Sequence, residues 1–264
     1  MILVGLALVA VGVADLCASG LGGEIASARR AVAATVIALA VAVIGLSVTS
    51  NADAPVTAVF LVIVLLASLA WSVLRLPRFR TNRPWLAIIA LVAPLSILAA
   101  SSGSLTAAPS VPAMRWLAAL PFPAIVEIGM ERLCLTAGAA IALMATANGI
   151  VRAVLASAGA LEQAEDRLRG GRLIGAMERL MIFGLALAGE PTAAALIISA
   201  KSILRFPEIS RTAQRDDDHS HQAETSEGES SAQPPAVDAV TEYFLLGSLS
   251  SWMLALAPII LLRS

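Results

Sequence analysis

Long apolar runs alternate with short polar breaks along most of this chain. Met1 to Ala18, Ala31 to Thr49, Ala54 to Leu74 and Trp85 to Ala100 are each near the roughly 20 residues a helix needs to cross the hydrocarbon core. Leu133 to Val151 makes a fifth such run, Leu173 to Ala188 and Thr192 to Leu204 make two more, and Val240 to Leu262 the last. The pattern predicts an all-α, polytopic helical integral membrane protein with about eight transmembrane helices. Met1 to Ala18 has no basic leader and no small-residue cleavage site, so it reads as an uncleaved first span.

The breaks carry the topology. Arg29 and Arg30, the arginines from Arg75 to Arg83, those from Arg152 to Arg172 and those from Arg205 to Arg215 fall on alternate loops, as the positive-inside rule requires of cytoplasmic ones. Both termini are then outside, in an inner or plasma membrane. Trp116 to Gly129 is apolar but is interrupted by Pro121 and Pro123, so residues 116–129 read as a re-entrant or interfacial piece on the outer side. The expected organisation is amino-terminal membrane helices over 1–151, a cytoplasmic helical stem over 152–172 and a transmembrane hairpin over 173–205. A disordered acidic cytoplasmic loop over 206–238 and a carboxyl-terminal span over 239–264 complete it.

Composition removes the competing classes. Charged residues are 14% of the chain, against roughly 25% in soluble domains. Ala, Val, Leu and Ile supply the apolar mass, with 4% aromatics, which suits helices rather than a girdled β-barrel. Basic residues are too scattered for nucleic acid. Cys17 and Cys134 lie far apart in apolar runs and read as plain core thiols. Asp15 and Glu24 flank the inner end of the first span and read as interface residues. Asp216-Asp217-Asp218-His219-Ser220-His221 reads as solvated linker, and no metal or other cofactor is expected.

Candidate chemistry gathers in the hairpin, where ionised residues stand inside apolar helices. A charge at the centre of a transmembrane helix costs roughly 2.5 to 3.5 kcal/mol on insertion scales, so each needs a partner or water. Arg152, Arg172, Glu178, Arg179, Lys201, Arg205 and Glu242 all come to the inner-leaflet depth on this topology. Three readings follow. The cations, in surplus over the carboxylates, hold an anionic lipid headgroup or a small solute that the protein binds or transports. Alternatively Glu178, Arg179, Lys201 and Glu242 pair with one another, and the protein is a membrane scaffold that binds partners elsewhere. The third is a lipid-modifying enzyme, for which the sequence offers a carboxylate and cations but no catalytic motif. In the last run Gly247, Ser250 and Ser251 form a small-residue face that lets another helix approach.

Four pieces, Asn148-Gly149-Ile150-Val151-Arg152, Gly170 to Leu180, Ala200 to Glu208 and Glu242 to Trp252, resemble the shared region of a group of bacterial, mainly actinobacterial, predicted membrane proteins. The resemblance covers Asn148 onward, apart from the acidic segment. Related proteins with a different amino-terminal half resemble the DUF3307 group, whose HxxxDFxxQ-like start is absent here. The resemblance implies a multi-pass membrane fold and no assigned activity.

Overall fold

The structure, a computed structural model, describes residues 1–20, 25–76, 84–158, 171–200, 203 and 236–263. Most of the expected disordered loop and of the expected stem lies outside the described residues, and 236–238, expected at the end of that loop, are helical. The first helix, α1 (Ile2–Ser19), is apolar all round and buries twelve of its 18 residues, as a central helix must. Four more helices wrap or adjoin it: α2 (Ala28–Thr49), α3 (Ala54–Leu74), α4 (Trp85–Ala100) and α6 (Pro123–Met144).

Local sequence explains the boundaries. Ser27 caps α2 by accepting from the Arg30 amide, Pro55 sits in the first turn of α3, and Pro84 precedes α4. Each helix then buries one stripe. In α2 it is Ala31, Ala34, Ala38 and Ala42; in α3 it is Phe60, Val64, Ala67 and Trp71. Against α6 the contact is closer still. A Cβ built on Gly5 would lie 2.5 Å from the Cys134 carbonyl carbon, and one on Gly12 would lie 2.8 Å from Ile141 Cγ2. Glycine lets these two backbones pack together where lipid supplies no hydrophobic drive.

Two residue pairs mark one end of the bundle. β1 (Ser50–Asn51) pairs antiparallel with β2 (Ala108–Pro109), and Ser110 then both bonds the Val48 carbonyl and caps α5 (Val111–Ala118). From α5 the chain passes through a break at Gly129, at φ 78°, into the part of α6 that packs beside α1. Residues 111–129 therefore form short helices at this end.

Leu133 to Val151 is not one straight helix, contrary to the sequence reading. It breaks at Ala145, and α7 (Thr146–Ser157) leaves α6 at 49°. The remaining helices pack on this joint. α8 (Gly171–Leu187) and α9 (Pro191–Ala200) follow one another across a turn at Gly189, where φ is 82°. With α10 (Ala236–Arg263) they bury Ile182, Ala194 and Ala255 in a smaller core of their own.

Among the described residues five helices are long and apolar enough to cross a membrane, or six with the bent α6–α7 pair as one span. α8, at 17 residues, and the ten described residues of α9 fall short of that length. Among the described residues the fold is all-α apart from the two short strands.

Candidate functional site

Polar side chains meet α7 from two directions. The first group comes from α8. Arg179, 2% exposed, sends its guanidinium across to the α6–α7 joint and to α10. Its Nε donates to the Leu143 carbonyl at 2.9 Å, Nη1 to Ser251 Oγ at 3.1 Å, and Nη2 to Asn148 Oδ1.

The break explains why those acceptors exist. The Asn148 amide bonds the Ala145 carbonyl, three residues back, so the carbonyls before the joint lose their helical partners. Arg179 takes the one at Leu143, and Asn148 Nδ2 takes the one at Met144 at 3.3 Å. One cation thus ties α8 to both halves of a broken helix and to α10.

Glu178, the next residue back and 7% exposed, faces a different neighbour. Its Oε1 accepts from Trp252 Nε1 of α10 at 2.9 Å. Of the expected pairing among Glu178, Arg179, Lys201 and Glu242, the Glu242 side chain and Lys201 lie outside the described residues, and the hydrogen bonds described for Arg179 and Glu178 go elsewhere. Arg179 is held by a carbonyl, an amide and a hydroxyl, because the broken helix supplies oxygens at its depth and Glu178 points to the indole. Gly175, one turn before, leaves space beside Arg179 Nη1, 3.6 Å from where its Cβ would stand.

The other expected residues divide. Arg152 is half-buried on α7, one turn beyond Asn148. The backbones of Arg172 and Glu242 lie in α8 and α10, with their side chains outside the described ones, and Lys201 and Arg205 lie outside the described residues altogether. Of the expected small-residue face of α10, Ser251 is buried and Gly247 meets Leu155 of α7, while Ser250 is half-buried and donates back to the Leu246 carbonyl; Ser248, not among the expected residues, is buried as well.

The second group was not anticipated. Asp15, expected at the interface, is 2% exposed in the middle of the bundle, because α1 is its central helix. Its Oδ1 accepts from Arg75 Nη1 at 2.6 Å and its Oδ2 from Trp71 Nε1 at 2.9 Å. The guanidinium also lies 4.5 Å from the Trp71 ring centroid, a cation–π contact. Gly149 of α7 packs directly on this group: a Cβ there would lie 2.9 Å from Trp71 Cζ2 and 3.0 Å from Arg75 Cζ. An acidic residue in the last turn of one apolar run and a basic one just past another was the only signal in the sequence. Cys17 is also corrected, being exposed on the outer surface of α1's last turn, while Cys134 is half-buried.

Both groups are buried and internally bonded. Among the described residues no three His, Cys, Asp or Glu side chains gather as a metal site. What the arrangement does chemically is hold α7 at its angle. No protein-family model, no curated protein and no solved structure matches this chain.

Proposed function

We propose that this is an eight-span integral membrane protein, with both termini outside, whose buried charges build a scaffold. The bent α6–α7 pair counts as one span, and α8 and α9 as two more. Of the 18 basic residues only Arg115, Arg132 and Arg263 fall on the outer side of this topology, while fourteen fall on the inner side. The observation that carries the scaffold reading is Arg179, which is buried and bonded to neutral oxygens of α6, α7 and α10. A cation used in this way fixes helices and is not presented to a solute. Partners then meet the protein on surfaces outside this clamp.

One observation favours the binding reading instead. A guanidinium has five N–H donors, and Arg179 engages three acceptors beside a broken helix, the kind of joint that lines solute sites in transporters. Anionic lipid or a small anion would then draw on Arg152, Arg172, Lys201 and Arg205 at the inner leaflet.

Unfolding in mixed micelles separates the two. Under the scaffold reading Arg179→Met loses about 2 kcal/mol, three interhelical hydrogen bonds at roughly 0.6 each. That loss is the same with zwitterionic and with anionic lipid. If anionic lipid stabilises the wild type and Lys201→Ala or Arg152→Ala abolishes that gain while remaining folded, the cluster is a binding site and the scaffold reading fails.

A further inference from the structure

A slot of about 270 Å³ runs between α4 and α10, walled at the back by α1 and the α6–α7 joint. Val4, Leu8 and Val11 form one stripe of α1 along it, so its length is about 10 Å at 1.5 Å per residue, and its width roughly 5 Å. Its mouth is bordered by Val92 and Ser96 of α4 and by Ala257 of α10, all exposed, at the level of apolar helices long enough to cross a bilayer. We propose that this slot seats one hydrocarbon chain of a phospholipid from the surrounding bilayer.

Shape and chemistry both select that occupant. A helix is about 10 Å across, and one turn of it fills roughly 400 Å³, so a second copy or a partner helix does not enter. Water does not fill it either. Among the described residues the hydroxyls of Ser96, at the mouth, and Thr146 are the only polar side-chain groups lining it, and an ordered water needs two to four polar partners. The Thr146 hydroxyl is buried, with no hydrogen-bond partner among the described residues, and a single hydroxyl falls short of the two to four partners an ordered water needs. An apolar slot open to hydrocarbon is filled by hydrocarbon.

The slot also borders the joint. Leu143 and Thr146 stand on either side of the break, and Val11, Leu91 and Ile150 separate the slot's inner end from Trp71. A seated chain therefore packs against the same helix joint that Arg179 clamps. This inference stands independently of whether the polar cluster binds anions.

The test uses the full chain in phosphatidylcholine vesicles doped with phosphatidylcholine carrying a diazirine midway along one chain, followed by irradiation and peptide mapping. Labelling is expected to concentrate on the stretches 91–99 and 254–261. Ala257→Trp, which fills the slot, should reduce it to the level of other lipid-facing positions. Ile260→Trp, on the exposed face of α10, should leave it unchanged. Ala142→Leu fills the slot from the opposite wall should Ala257→Trp not fold. Labelling spread evenly over exposed positions such as Val36, Ile44 and Met253, or the same for both tryptophan variants, overturns the proposal. The wild-type map decides alone if neither filled variant folds.

Discussion

Arg75 and Arg179 both reach α7, one from the end of α3 and one from the middle of α8, yet the first is held by a carboxylate and an indole ring while the second is held by three neutral oxygens. The difference follows from what each neighbourhood supplies. Arg75 stands just past the end of α3 beside Asp15 of α1, and that carboxylate takes its charge. Arg179 adjoins a helix that has come apart, where released carbonyls face it ready-made. A buried cation in such a bundle is thus satisfied either by a partner charge or by a break in a helix, and the two solutions should fail in different ways. A pair fails when either member goes. A distributed clamp fails by degrees.

The largest effect should come from Asp15→Ala. Removing one partner of a buried ion pair costs about 3–5 kcal/mol, because the remaining charge stays behind without its counterion. Equilibrium unfolding in mixed micelles reads this directly. Replacing both members together, as in Asp15→Leu with Arg75→Met, should recover much of the loss, since an apolar pair of similar volume carries no desolvation cost. A single variant no worse than the loss of one hydroxyl at the other centre would erase the distinction between the two arginines.

Next comes the glycine on which the Asp15 group rests. Gly149→Ala forces a methyl to within 3 Å of Trp71 and Arg75, and Trp71, 1% exposed, has no room to yield. Overpacking of this kind costs about 1–3 kcal/mol. Gly184→Ala is the matched control, being helical with open space where its Cβ would stand, and should be neutral or stabilising by up to about 1 kcal/mol. Equal behaviour of the two variants, measured by thermal melting in detergent, would show that α7 is not pressed against the ion pair.

The apolar runs made the long helices legible, and the pair Glu178-Arg179 within such a run marked α8 as the place where polar contacts had to form. Their partners were not legible. Asp15 and Arg75 are 60 positions apart, and nothing local tells a carboxylate at the end of a span whether its helix lies at the rim or the centre of the bundle. Centrality is a property of packing, visible only once α2, α3, α4 and α6 are seen around α1. The break at Ala145 was hidden for another reason. Ala145-Thr146-Ala147 holds neither proline nor glycine, so the kink has no sequence marker and is held in place by the side chains that cap it. Gly129 and Gly189, by contrast, bend the chain where glycine alone adopts positive φ cheaply.

The smallest effect sharpens the comparison most, because it asks whether the second centre really is distributed. Ser251→Ala removes one acceptor of three from Arg179, and the Leu143 carbonyl and Asn148 amide still hold the guanidinium in the same plane. Interhelical hydrogen bonds in membrane proteins average about 0.6 kcal/mol, so the loss should be near that figure and confined to the α8–α10 contact. Asn148→Ala should cost more than Ser251→Ala, since Asn148 both accepts from Arg179 and donates to the Met144 carbonyl across the break. The double variant should cost more than the sum, because the clamp then keeps only Leu143 and the joint loses a cap at the same moment. Strict additivity in that cycle would mean that Arg179 holds α10 and the joint independently, and that the bend in α6–α7 has a cause outside the cluster.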